Sequence, residues 1–402
     1  MTNTINLLKR LISIPSFVDS SNNEGKLADF VKVTLSKNKR LKITEQIVER
    51  RRRNIIATDG NNPQIILFGH MDTVLPKEQD RSPFEPYEKD GKLYGLGSVD
   101  MKSGLAMMLD IATNSRPTGL GYIFTVDEEY SFKGVKKLIT EINLKPKLII
   151  NVESTNLKIL NGCRGITAVS LDVFGRAAHS GRKHLGVNAI EKSVELTTAF
   201  EKLCQSHDPA EAQTTINLCY LNGGLGSESG EVKSVDNIVP NYAKLNFSIR
   251  IGNPKITKQF IKKNLTKIGK DLGVEVSSPK FKFMHGSFLT PRPKLKQFEK
   301  VVAANGLAVE YADINAQGFY EVQIVQSALG CDCVAFGPGP NEMSHCKNEY
   351  VNMADLIKAQ KVIEDYITLS LQPRLRQNSI LPPPTTQAGA DGERRYPSSP
   401  TD

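Results

Sequence analysis

Nothing in this chain of 402 residues approaches the roughly 20 consecutive apolar residues that a membrane-spanning helix needs, so no membrane partner is expected. The opening segment MTNTINLLKRLISIPSF spaces its apolar residues as a helix does and carries Lys9 and Arg10 in its middle. It lacks the continuous apolar core of a secretory signal, and a cytoplasmic setting is the expectation. Cysteine is scarce: six residues with no CxxC pair and no regular spacing describe neither a disulfide framework nor a zinc finger. Reduced thiols follow. The glycine turns GLGSV and FGPGP lack the lysine and hydroxyl pattern of a nucleotide-phosphate loop, and no tandem repeat is present.

What is there is an ordinary globular composition, 39% hydrophobic and 24% charged. At about 150 residues per domain the length suits two or three domains with a real core. Net charge is +9, which permits attraction to acidic small molecules or polyanions. The basic residues fall in scattered runs: Lys37 to Lys42, Arg50 to Arg53, and Lys262 with Lys263. Glu49 borders the arginine run and the strand-like NIIAT follows it, so the run reads as a solvated sheet edge and not as a nucleic-acid stripe. No nucleic-acid partner is expected.

The first third alternates helices with the short apolar runs PQIILFGH, TGLGYIFTVDEE and KPKLIINVEST, each ending abruptly in polar residues, with a helix over Lys102 to Ala112 between the first two. Runs apolar on both faces and separated by helices predict an α/β fold, a mixed, largely parallel sheet between helices. A fourth run, CDCVAFGPG, arrives only after residue 330, so two distant stretches of chain complete one sheet. Between them the pattern changes to the alternating strands ITAVSLDVFG and AKLNFSIRIG, with helices over roughly Asn188 to Cys204 and Ile256 to Leu272. That is an inserted α+β unit. The expected division is a catalytic domain over 1–161 and 280–371, an inserted domain over 162–279, and a disordered tail over 372–402, where LPPPTTQAGADGERRYPSSPTD has almost nothing to bury.

In open α/β sheets, ligand-binding groups collect beyond the carboxyl ends of the strands. Nearly every such end here is decorated. His70 and Asp72 follow PQIILFG, Glu128 and Glu129 follow GYIFTVD, Glu153 follows LIINV, His345 follows VAFGPG after a short loop, and Asp100 sits in the turn YGLGSVDMKSG. A lone acid in such a place is more often a helix cap. Five carboxylates at one edge would raise each other's pKa values or splay the loops unless cations sat among them. Two imidazoles in the same place favour zinc or a related borderline metal over magnesium or calcium, and two divalent ions would largely offset the charge. Positions i and i+2 of extended chain share a side, so Asp72 is expected to hold the non-ligating nitrogen of His70. Glu128 and Glu129 point apart, so one can bind metal while the other contacts the water that the metal activates.

The segments FGHMDTV, GLGSVDMKSG, TVDEE followed by Gly134, NVEST, FGRAAHSGRKHLGVNAI and FGPGPNEMSHCKNEYV resemble, in order, the motif series of the co-catalytic dizinc amidohydrolase and exopeptidase family. That family includes acetylornithine deacetylase, succinyl-diaminopimelate desuccinylase, aminoacylase and glutamate carboxypeptidase. The resemblance runs from LISIPSF to about residue 370. It implies that His70, Asp100 and Glu153 hold one metal and that Asp100, Glu129 and His345 hold a second, with Asp100 bridging. The implied cofactor is two divalent ions, zinc first, with cobalt or manganese as alternatives. Glu128 resembles the family's general base. The inserted unit resembles its lid and dimerisation domain, which implies a homodimer in which His179 reaches a facing active site and helps stabilise the oxyanion. Arg250 in NFSIRIG and Asn237 in DNIVP stand where the family contacts substrate.

The implied activity is hydrolysis of the amide bond of an N-acyl amino acid or short peptide; the alternative is a catalytically silent relative that serves as a binding or assembly module. The segment NAQGFYEVQIVQSALG matches the family poorly, which leaves the acyl group open. His184, His207 and His285 read as surface or loop residues, Cys331 and Cys333 as core, and Cys346 as packing in the wall beside His345.

Overall fold

The strands Ile65–His70, Leu120–Thr125 and Leu148–Asn151 are buried at every position, as strands covered on both faces must be. They come from a computed structural model that describes residues 3–371 apart from 61, 79–80, 115–117 and 228–230. The expected disordered tail lies outside the described residues. Ile65–His70 pairs in parallel with Leu120–Thr125 on one side and Leu148–Asn151 on the other, and Asp332–Ala335 adds in parallel beyond Leu148–Asn151. Arg52–Thr58 and Lys42–Glu49 extend the opposite side antiparallel, which completes a mixed six-stranded sheet. The late strand therefore closes a sheet begun nearly 300 residues earlier, at Lys42.

The two-residue period of a strand divides the core. Ile65 and Leu67 join a cluster with residues of the helices Asn3–Ile12, Gly25–Leu35, Lys102–Asn114 and Met353–Leu371; Ile66 and Phe68 join another with Lys133–Glu141 and Val322–Leu329. The helix Lys102–Asn114 is buried from Lys102 to Ala112. It comes so near the strand end before Glu153 that a Cβ at Gly104 would lie 2.3 Å from the Val152 carbonyl oxygen. Gly134 does the same for the turn after Leu120–Thr125, where a Cβ would lie 2.1 Å from the Val126 oxygen. Both approaches exist only because these positions carry no side chain.

The chain leaves this layer through Gly162–Cys163 and returns through Phe288–Leu289, which pair antiparallel. Between them lies a second, antiparallel sheet. Gly165–Phe174 is flanked by Tyr242–Ile251 on one side and by Glu275–Val276 and Lys280–His285 on the other, and Thr215–Gly224 pairs with Tyr242–Ile251. The helices Ala189–Gln205 and Lys258–Asp271 pack on one face over Val169, Leu171, Leu245, Phe247 and Ile249. Their starts are capped as the sequence dictates: the Asn188 side chain accepts from the Ile190 N–H at 3.0 Å, and the Thr257 hydroxyl accepts from the Phe260 N–H at 3.2 Å.

Three side-chain expectations fail. Arg52 is buried within the arginine run and donates to both oxygens of Glu24, at 2.6 and 2.8 Å, and to Asp127. Its strand position faces inward, where two carboxylates satisfy the guanidinium. His285 is not a bare loop histidine, because its ring packs among Phe132, Phe283 and Phe319 with centroids 5.1–6.0 Å apart. Cys346 is exposed, its thiol donating to the Glu342 carbonyl, whereas Cys333 is buried and Cys331 partly so. No helix of the described residues is long and apolar enough to cross a membrane.

Candidate active site

The carboxyl ends of the parallel strands deliver their acids and histidines to one place. His70 is the last residue of its strand; its Nε2 lies 3.2 Å from Asp100 Oδ1 and 3.4 Å from Glu153 Oε1. On the other side of Asp100, His345 Nε2 lies 3.3 Å from Oδ2 and 2.9 Å from Glu129 Oε1. The donor atoms of His70, Asp100 and Glu153 lie within 4.8 Å of one another, as do those of Asp100, Glu129 and His345. Asp100 belongs to both sets. His70, Glu128 and Glu129 form a third overlapping set by the same measure.

Backbone clamps hold these groups. The Asp72 carboxylate accepts the N–H groups of Glu128 and Glu129, at 3.1 and 2.9 Å. This differs from the expectation for Asp72, because it is the Asp72 main-chain carbonyl that stands 3.1 Å from His70 Nδ1, with the nearest carboxylate oxygen at 3.6 Å. The i, i+2 rule places the two residues on one side, but the carboxylate is turned to the two amides of the acidic turn. A proton on Nδ1 facing that carbonyl frees Nε2 to offer its lone pair to a cation in place of the proton that it shares with Asp100 here.

Glu349, to which the sequence reading gave no role, does for Asp100 what Asp72 does for the glutamates. Its buried carboxylate accepts from the N–H groups of Gly97 at 2.8 Å, Val99 at 2.7 Å and Asp100 at 3.0 Å. The signal available was an acid four positions after His345 inside a motif segment. Asp127 and His345 adopt left-handed backbone, with φ of 72° and 60°, at a cost of about 1–2 kcal/mol each. Arg52 fixes the first through the Asp127 carboxylate, and Lys77 donates to the carbonyl of the second.

The electrostatics are those of a crowded anion cluster. Burial pushes Glu128 well above the ordinary carboxylate range; the positive charge of His70 opposes this, and Glu321, Glu153 and Glu129 add to it. Glu129 and Glu153 are also raised, chiefly by burial. Asp100 is lowered despite its burial, because His345 and His70 both bond to it. Hydrogen bonds to Asp100 and Glu129 raise His345 to about 10, and His70, although burial opposes it, is raised by Glu153, Asp100 and Asp72. Beneath the cluster lies Glu321, also without a role in the sequence reading. One of its oxygens accepts from the Thr125 hydroxyl, the other is buried with no hydrogen-bond partner, and burial pushes the group up to about 8. It stands in the segment that matches the family poorly, so no motif drew attention to it.

Imidazole nitrogens and carboxylate oxygens with no thiolate, sharing a bridging acid, fit two divalent cations of borderline character. The remaining predicted residues stand in the inserted unit. His179 is exposed, and its Nδ1 accepts the Gly181 N–H at 3.1 Å; the next residue, Ser180, donates its N–H to the Asn237 carbonyl at 2.8 Å. Arg250 lies opposite Ile166 and Thr215 and close enough to Arg164 to depress the latter's pKa, a smaller effect than the burial of Arg164. Among the described residues, no hydrogen bond or ion pair joins His179, Asn237 or Arg250 to the acidic cluster.

The model of a known family, peptidase family M20/M25/M40, matches the chain over residues 66–369. The chain belongs to that family. It is a hydrolase of the M20 metallopeptidase and amidohydrolase group. It is 30% identical over 379 residues to an acetylornithine deacetylase of Buchnera aphidicola, an alignment covering 86% of this chain and 92% of that one. To a succinyl-diaminopimelate desuccinylase of Coxiella burnetii it is 29% identical over 386 residues, 89% of this chain and 96% of the relative. Its fold is also that of a dinuclear metal-binding M20 peptidase from Bacillus subtilis, with a TM-score of 0.62 at 15% identity, over 92% of this chain and 97% of the other.

Proposed function

We propose that this M20 protein cleaves the amide bond of N-acyl amino acids or short peptides, with two divalent cations held by His70, Asp100 and Glu153 and by Asp100, Glu129 and His345. The observation that carries the reading is the pair of donor sets sharing Asp100, with Glu128 beside them. Zinc is the metal that the mixed imidazole and carboxylate donors favour. When bound, the cations would supply Lewis acidity, lowering the pKa of water at the site and drawing charge from the scissile carbonyl. Glu128 accepts the proton of the attacking water and passes it to the leaving nitrogen, a contribution of about 10²–10⁴-fold. Asp72 keeps Glu128 aimed by holding its amide. Intact Glu128 argues against a catalytically silent relative.

The relatives named for an acetylated and a succinylated amino acid support an N-acyl amino acid as substrate. Arg250 and Asn237 are the residues that would contact it. The strand Thr215–Gly224, paired on one side with Tyr242–Ile251, offers an edge through which two copies could join, and the exposed His179 would then reach a facing site. A cytoplasmic setting agrees with six free thiols. The test is amine release from a panel of N-acetyl and N-succinyl amino acids and dipeptides by protein loaded with known amounts of zinc. Turnover of at least one class is expected. No turnover across the panel with two zinc ions bound per chain would overturn the reading.

A further inference from the structure

The inserted unit has a feature that amide hydrolysis does not use. On the sheet face opposite its two helices is a cavity of about 400 Å³ whose floor includes Ser170, Asn246 and Ser248 and whose rim carries Lys244, Lys280 and Lys282. Strand register explains the shape. Lys280 lies opposite Ser170, which lies opposite Asn246, and Ser248 lies opposite Ala168, so short side chains fill the middle rows and long ones stand at the sides. All three lysines are exposed. Among the described residues, no carboxylate lines the cavity. Asp172 is directly opposite Lys244, but it is buried and turned to the Tyr242 hydroxyl at 2.6 Å.

What sets these lysines apart is that they ring a cavity, since Lys262, Lys263 and Lys267 of the helix Lys258–Asp271 also lack an ion pair among the described residues. Elsewhere Lys133 pairs with Glu49, Lys183 with Glu191, and Lys294 with Asp332, whereas none of the three cup lysines has an ion pair among the described residues. Residues 165–285 hold sixteen of the chain's basic residues against eleven acids, so the surroundings add to the positive potential instead of cancelling it. The volume suits a small ligand, since such sites run from about 300 to 1,000 Å³. Ammonium groups around hydroxyl and amide donors are the set that recognises phosphate oxygens, each lysine acting as a movable point charge. Lys244 is six positions from Arg250 on the same strand, about 20 Å of extended chain, which sets the cup apart from the proposed substrate contact.

We propose that this cup is a second ligand site that binds a small, soluble phosphate-bearing molecule through Lys244, Lys280 and Lys282. The test is calorimetric titration of the metal-loaded protein with adenosine 5′-monophosphate and with inorganic phosphate at low salt. It compares the wild type with a K244Q/K280Q/K282Q variant and with a K262Q/K263Q/K267Q variant, which loses the same charge from the exposed side of the helix Lys258–Asp271. The expected result is saturable one-to-one binding of the monophosphate, weakened about tenfold or more in the cup variant and changed less than about twofold in the helix variant. Hydrolysis of a small N-acyl amino acid should be the same in all three proteins. Equal weakening in both variants would reduce the site to diffuse attraction and overturn the proposal. So would binding that survives in the cup variant, binding seen only with anionic lipid vesicles, or no saturable binding by the wild type.

Discussion

At the carboxyl edge of the six-stranded sheet, His70, Asp72, Glu153, Glu321 and Glu349 are all withdrawn from water; on the inserted sheet, Lys244, Lys280 and Lys282 stand in it with no ion pair among the described residues. A chain of net charge +9 thus puts its densest anions where burial is greatest. The solvated lysines cost little to leave unpaired, because water screens them. The buried acids are different: each must be neutralised by protons, imidazolium groups, backbone amides or cations. The contrast teaches that like charge can be tolerated at a surface for many reasons, but at a buried strand edge it implies counter-charge.

The contrast breaks most visibly at Glu128. Glu128→Gln should lower kcat by roughly 10³-fold while metal content per chain stays unchanged, read by steady-state kinetics beside elemental analysis. A loss of less than about tenfold would take Glu128 out of proton transfer. Next in size is Arg52→Ala, which leaves Glu24 and Asp127 buried without their cation. A destabilisation of about 3–5 kcal/mol is expected in urea unfolding, and an unchanged midpoint would mean that the buried network tolerates the charge. Glu349→Ala releases the three amides of the Asp100 loop. Zinc affinity should fall about 10–100-fold by competition with a chelator, with Glu349→Gln intermediate, and equal affinity in all three proteins would remove the clamp from the account.

The smallest effect is a pH dependence. Burial raises Glu321 to about 8, so between about pH 4.5 and 8 the unfolded chain gives up a proton that the folded chain keeps, and stability falls as pH rises through that window. Glu321→Gln removes this term. Its melting temperature relative to wild type should climb by several degrees from pH 5 to pH 8 and level off above. A difference that is flat with pH would show that Glu321 ionises normally.

The acidic edge was legible because strand ends are written in sequence: an apolar run such as PQIILFG stops at His70, and LIINV stops at Glu153. The four parallel strands of the sheet were legible for the same reason, including the late one, whereas the half-exposed antiparallel strand Lys42–Glu49 carries no such apolar run. What did not appear was anything that depends on the route of a side chain through space. Arg52 looked like part of a basic run until the fold placed Glu24 and Asp127 beside it. Asp72 satisfied the spacing rule for His70, yet backbone amides outcompeted the ring for its carboxylate. Glu349 and Glu321 act across 250 and 196 residues of chain, and no local pattern announces such a contact. The lysine cup is drawn from four strands, and only register assembles it.

The central claim is that the crowded acids exist to hold two cations that share Asp100. Chelator-treated protein titrated with zinc, with bound metal counted per chain, tests this most directly in wild type and in Asp100→Asn. The account predicts two tight ions per chain in the wild type and weakening of both in the variant. A single tight ion in the wild type, or loss of only one in Asp100→Asn, would contradict it.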